Sequence, residues 1–215
     1  MTGSPVGVGH AVPMPPPRIA PTAVVEDGAS VGDGTAVWDF VQIRRGARVG
    51  SECIFGRGAF VDEDVVIGDR CKVQNDALLY HPARIGDGVF VGPGAILTND
   101  LQPRAVNPDM TLKSASDWAA AGIEIGDGAS IGAGAVVVAG ARIGAWAMVA
   151  AGAVVRGEIP TFALVAGVPA RRIGWVGRAG VRLAAAGGGR WTCPSTGEQY
   201  DEHDGVLHLH EGQGA

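Results

Sequence analysis

Fourteen residues spaced six apart, Ile19, Val25, Val31, Val37, Ile43, Val49, Phe55, Val61, Ile67, Val73, Leu79, Ile85, Val91 and Leu97, are all large and apolar. With 47% of the chain hydrophobic, chance would fill fourteen such slots about three times in 100,000, so the row is an internal repeat. Four residues after these positions runs a second row of mostly small side chains, among them Ala23, Ala29, Thr35, Ala47, Cys53, Ala59, Cys71 and Ala77. An amphipathic helix repeats every 3.6 residues and a half-buried strand every 2. A sustained six instead fits three short, flat faces per turn of a parallel β-helix, with eighteen residues to a coil and neighbouring coils about 4.8 Å apart. Residues i and i+18 then lie one above the other.

The row breaks once. After Leu97 the in-phase set resumes at Ile125 and continues through Ile131, Val137, Ile143 and Val149 to Val155, across a gap of 28 residues that is not a multiple of six. A loop spanning about residues 101–122 has to leave the coil there. Long loops on rigid scaffolds are often functional. This stretch holds charge, amide and aromatic groups in Asn99-Asp100-Leu101-Gln102-Pro103-Arg104 and Lys113-Ser114-Ala115-Ser116-Asp117-Trp118, a mixture suited to ligand contact. The plainer reading is an insertion with no ligand.

The expected organisation is a flexible Pro-rich tail at 1–18, a β-helix at 19–160 with its loop at 101–122, and a C-terminal extension at 161–215. The start lacks the basic and apolar regions of a secretory signal, and no run of about 20 apolar residues could span a membrane, so a cytoplasmic protein with no membrane partner is expected. A net charge of −5 gives no reason to expect a nucleic-acid partner. Cys53 and Cys71 are eighteen apart and should stack in adjacent coils, where a buried small-residue role in a reducing compartment is simpler than a disulfide. Cys193 has no second cysteine nearby, so a zinc site built from it with His203, His208 and His210 is not expected.

The period is similar to that of the hexapeptide-repeat acyltransferases, and the resemblance implies a left-handed helix. The segment Val168-Pro169-Ala170-Arg171-Arg172 resembles the ending of many such enzymes, where a basic residue after Pro-Ala lies near the phosphorylated end of coenzyme A. Arg171 and Arg172 are accordingly candidates for a local positive patch. The small residues Gly134, Gly140, Ala151 and Gly152 would let the pantetheine arm lie against backbone. Cys71-Lys72-Val73-Gln74-Asn75, Asn99-Asp100-Leu101, Pro103-Arg104-Ala105, Ile173-Gly174-Trp175 and Thr192-Cys193-Pro194 resemble bacterial N-acetyltransferases acting on nucleotide-linked 3-amino sugars. The resemblance covers nearly the whole chain and implies acetyl-CoA as co-substrate, a UDP- or dTDP-linked amino sugar as acceptor, and a homotrimer with its sites in the clefts between subunits. A role in surface-polysaccharide or specialised sugar biosynthesis follows from the same resemblance.

Such a reaction needs proximity, a neutral amine and donors for a developing oxyanion. Asn75 could hold the amine or the thioester carbonyl, and the resemblance points to the same residue. Relatives commonly carry Tyr-Glu-Gly where this chain has Tyr80-His81-Pro82. His81 is the only histidine inside the repeat, and coil arithmetic stacks Glu63, His81 and Asn99 in one outward column beneath the loop. We expect His81 to act as a general base or proton relay oriented by Glu63, facing ligands held by Asn99, Asp100 and Arg104. A solvated or subunit-packing histidine is the alternative. Arg57, one coil below Asn75, or Arg104 would suit an acceptor carboxylate.

Three other functions of such a helix fit poorly. A γ-class carbonic anhydrase needs three histidine ligands, a nucleotidyltransferase needs a preceding α/β domain, and an ice-binding solenoid needs ranks of outward threonine. Two readings stay open beside the N-acetyltransferase. One is an O-acetyltransferase using His81 as its base, and the other is a non-catalytic scaffold.

Overall fold

The computed structural model describes residues 14–210. Two-residue strands alternate with tight turns, and in a strand such as Leu78–Leu79 the first side chain points outward and the second is buried. The apolar six-residue row supplies the inward strand position: Ile43, Phe55, Val61, Val73, Leu79, Val91 and Leu97 are fully buried. The second row also faces inward and fills the bends, where Ala47, Cys53, Ala59, Cys71 and Ala77 leave room for the larger side chains. Thr35 is the one polar member of that row, and it is satisfied by donating to the Gly50 carbonyl at 2.9 Å and accepting the Cys53 N–H at 3.0 Å.

Three sheets result, of nine, seven and seven strands. The first face begins at Arg18–Ile19, the second at Val24–Val25 and the third at Ser30–Val31. Strands pair in parallel with a register of one coil, so Val73 lies between Phe55 and Val91, and Leu79 between Val61 and Leu97. Each face ends in a corner, and the corners are numbered here after the face they follow. The loop departs from the second corner. Strand pairing stops at Leu97 and resumes with Arg84 against Glu124, while Ala121 donates back to the Asn99 carbonyl at 2.9 Å to close the neck.

Most of the expected N-terminal tail, residues 1–13, lies outside the described residues. Arg18 already pairs with Ala36 on the first face. At the other end parallel stacking continues past the boundary expected at residue 160, because Ala163–Gly167 pairs with Met148–Val149 before the chain doubles back antiparallel as Ala170–Trp175. A four-stranded antiparallel sheet follows: Ala184–Gly187, Arg190–Thr192, Gln199–His203 and Val206–Leu209. Its Glu202 carboxylate reaches the helix end, accepting indole N–H bonds from Trp175 at 3.0 Å and Trp191 at 2.9 Å. No helix of the described residues is long and apolar enough to cross a membrane.

The third corner carries a ladder of aspartates. Asp69, Asp87 and Asp127 each use Oδ1 to accept the N–H of Ser51, Asp69 and Asp87 respectively, one coil below, at 2.8–2.9 Å. The glycines Gly50, Gly68 and Gly86 leave the space that these carboxylates occupy; a Cβ on Gly68 would stand 2.2 Å from Asp87 Oδ1 and 2.8 Å from the Gly86 carbonyl carbon. Gly157, by contrast, has positive φ but open surroundings. Gly68→Ala is therefore expected to cost roughly 1–3 kcal/mol through overpacking, and Gly157→Ala only about 1 kcal/mol through its left-handed backbone. Urea melts of the two variants check the order.

Candidate active site

The turns sort the expected site residues by corner. Asn75 and Arg57 share the first corner, while Glu63, His81 and Asn99 share the second, as the eighteen-residue column requires. One extended face separates Asn75 from His81. Asn75 lines one hollow and His81 another, so one chain does not bring the two into the same cavity.

Around His81 lies a hollow of about 400 Å³ walled by Arg44, Asp62, Glu63, Asn99 and, from the loop, Ala115, Trp118 and Ala120. The imidazole Nδ1 is 2.9 Å from the main-chain oxygen of Glu63. A carbonyl oxygen only accepts, so Nδ1 carries the proton in the neutral ring and Nε2 is left with its lone pair. Glu63 thus orients His81, but through its backbone. The Glu63 carboxylate instead pairs with Arg44 and, at 3.3 Å, with Arg45. Arg44 also holds Asp62 at 3.0 Å and Glu26 at 3.5 Å. Neither Arg44 nor Asp62 was among the sequence candidates, although the signal was available: each residue of Arg44-Arg45 lies one coil below the corresponding residue of Asp62-Glu63.

The remaining candidates fall into separate places. Asn75 and Arg57 line a smaller hollow of about 300 Å³ with Trp38, Asp39, Ile54 and Gln74. The Arg57 guanidinium rests over the Phe40 ring at 5.0 Å. Asp100 caps the start of the loop, accepting the Gln102 N–H at 2.7 Å, rather than facing His81. Arg104 lines a hollow of about 700 Å³ inside the loop, with Lys113 and the exposed Met110. Gly134 and Gly152 stack with Gly94 on the first corner, and at all three a built Cβ would meet nothing within 4 Å. With Ala151 they form an open lane. Gly140 is elsewhere, on the second corner against Ala121.

Arg171 and Arg172 are not equivalent. Among the described residues the Arg171 side chain bonds only its neighbour's carbonyl, at 3.0 Å. Arg172 is held by Glu202 at 3.2 Å and lies over the Trp175 ring at 4.1 Å, so it fastens the C-terminal sheet. Cys53, Cys71 and Cys193 are free and buried, with the Cys71 N–H 3.4 Å from Cys53 Sγ in the expected stack. Among the described residues no group of three or more His, Cys, Asp or Glu is arranged to hold a metal ion.

Comparison with known proteins agrees with this architecture. The model of the bacterial transferase hexapeptide (six repeats) matches residues 64–99 and 122–157, and that of the hexapeptide repeat of succinyl-transferase matches 46–80. The fold is the left-handed parallel β-helix of hexapeptide repeats, and the chain resembles the acetyltransferases built on it. A hexapeptide-repeat acetyltransferase of Vibrio cholerae, solved with acetyl coenzyme A, is 27% identical over 60% of this chain and 70% of its own, with a TM-score of 0.52. A putative acetyltransferase of Bacillus cereus is 27% identical over 73% and 76%, with a TM-score of 0.50. A mutant perosamine N-acetyltransferase of Caulobacter crescentus, in complex with CoA and GDP-perosamine, is 28% identical over 75% of this chain, with a TM-score of 0.46. The present chain spans 58% of that protein's length. No curated protein matches the sequence.

The C-terminal sheet has an electrostatic signature of its own. Against the cost of burial, hydrogen bonds from Trp175, Arg172 and Trp191 hold the Glu202 carboxyl below the ordinary carboxylate range. Arg178, followed by Tyr200, does the same for Glu198. A depressed carboxyl contributes stability that is fully present above its unfolded value, here about 4.5, and is lost as pH falls through the lower folded value. The sheet is thus expected to stay docked at neutral pH and to loosen in acid below the unfolded value, with E202Q shifting the transition. Tryptophan fluorescence of Trp175 and Trp191 during acid titration is the check.

Proposed function

We propose that this protein transfers an acetyl group from acetyl-CoA to the 3-amino group of a UDP- or dTDP-linked amino sugar, within the cytoplasm, for surface-polysaccharide or specialised sugar biosynthesis. The observation that carries the reading is His81, its Nδ1 fixed on a backbone carbonyl and its Nε2 unused among the described residues, beside Asn99 and the loop. A sugar amine titrating near 8, like an α-amino group, is partly neutral at physiological pH. Its nitrogen lone pair attacks the thioester carbonyl carbon, forming a C–N bond and a tetrahedral oxyanion. His81 Nε2 accepts the proton shed by the new ammonium. Collapse breaks the C–S bond, and the thiolate leaves and takes a proton to give free CoA. Asn75 would donate its amide N–H to the oxyanion or orient the amine.

In this scheme the pantetheine arm follows the lane of Gly94, Gly134 and Gly152, with Arg171 toward the phosphates, and Arg104 and Arg57 serve the acceptor. The separation of Asn75 from His81 fits a homotrimer in which adjacent subunits contribute different corners to one cleft. A stripe of half-exposed apolar side chains along the second face, Phe60, Leu78, Ile96, Val136 and Val154, supports such an assembly.

The experiment is release of free thiol from acetyl-CoA with nucleotide-linked sugars bearing a 3-amino group, a 4-amino group or hydroxyl groups alone. Turnover with a 3-amino sugar is expected, and His81→Ala should lower kcat by about a hundredfold or more. Turnover with hydroxyl acceptors only would make the enzyme an O-acetyltransferase. No release with any acceptor, from a folded protein, would reject the catalytic reading.

A further inference from the structure

His81 has two anchors, one on its main-chain N–H and one on its ring, and both hang on a single carboxylate. Asp62 is mostly buried, its side chain 14% exposed. Its Oδ2 accepts the backbone N–H of His81 at 3.2 Å. Its Oδ1 accepts the backbone N–H of Glu63 at 2.9 Å, fixing the residue whose carbonyl holds Nδ1. Arg44 in turn grips Asp62 Oδ1 at 3.0 Å and bonds the Glu63 carboxylate with its other terminal nitrogen. The guanidinium fork thereby ties together the two side chains at the base of the imidazole.

The same residues set the charge that the imidazole feels. Three carboxylates lie around it, Asp62, Glu63 and Asp64, the last with Oδ2 4.0 Å from Nδ1, and Glu26 stands farther down against Arg44. Arg44 and Arg45 are the cations opposing them. The loop packed over the hollow brings the uncharged Ala115, Trp118 and Ala120, and the coil above brings Asn99. A base must be neutral to take a proton, and an excess of carboxylates favours the imidazolium.

We propose that Arg44 and Asp62 are positioning residues for the reaction: Asp62 aims His81, and Arg44 offsets the surrounding carboxylates so that Nε2 stays available as a base. This rests on the reading of His81 as the base, and the test separates the two. Removing Arg44 leaves the carboxylates less opposed, so the imidazole holds its proton to higher pH and the acid limb of kcat/KM moves up. Removing the Asp62 charge does the reverse. A purely structural role would lower activity at every pH without moving the limb.

The measurement pairs kcat/KM profiles with NMR titration of the His81 ring in the uncomplexed protein, its resonance assigned by absence from H81A. The ratio of kcat/KM at pH 8 to that at pH 6 is expected to rise about threefold in R44M and to fall in D62N. R44K, which keeps the charge, should stay near wild type. The NMR titration should move in the same two directions. Thermal melts confirm that the variants fold, and D62N with R44K carries the test if R44M does not. Coincident NMR titrations in folded wild-type and variant proteins would overturn the proposal. Opposite NMR shifts with unmoved rate profiles would uphold the electrostatic coupling and remove His81 as the base.

Discussion

Every coil of this protein donates its strand N–H groups to the carbonyls of the next, and all other features depend on that stacking. Bonds such as Ile54 to Cys71, Lys72 to Val89 and Leu78 to Ala95, each at 2.9 Å, hold the coils at strand spacing. At that spacing each turn lies against the turns above and below it. Glycine at positions 50, 68 and 86, and the aspartate ladder that fills the space, are direct consequences. The core is correspondingly narrow, with one strand residue and one bend residue pointing inward from each six.

Stacking also makes columns of outward side chains, and the proposed site is built from one of them. The second corner reads Glu26, Arg44-Arg45, Asp62-Glu63, His81 and Asn99 from coil to coil. Alternation of sign up the column lets each residue satisfy the one below, leaving the histidine, beneath Asn99, with one ring nitrogen committed and one available among the described residues. The loop leaves the helix one coil above this histidine and roofs the hollow with Trp118. A rigid scaffold below and an extruded segment above is an economical way to make a concave site on a molecule whose faces are otherwise flat.

Much of this was legible in the sequence because solenoid packing is local and periodic. The strand positions, the inward rows, the loop and the column of Glu63, His81 and Asn99 all follow from counting by six and eighteen. Side-chain detail does not follow from counting. Glu63 orients His81 by its carbonyl because Arg44 and Arg45 engage its carboxylate. Asp100 is spent on capping the loop, and Arg172 on Glu202 and Trp175. The C-terminal sheet was read only as an extension, since antiparallel strands joined by polar contacts between Trp175, Trp191 and Glu202 leave no period behind. Asn75 and His81 differ by six, and that difference already places them on adjacent corners.

The proposed reaction draws on groups at two corners of one solenoid, and that proposal calls for a site completed between subunits. The direct test mixes N75A and H81A chains, each inactive alone, by co-expression or refolding. If adjacent subunits supply the two residues, random assembly leaves some clefts with both intact, and about a quarter of the wild-type rate should return. If the mixture stays as inactive as its parents while forming the same oligomer, the two residues do not act in one shared cleft and the account is wrong.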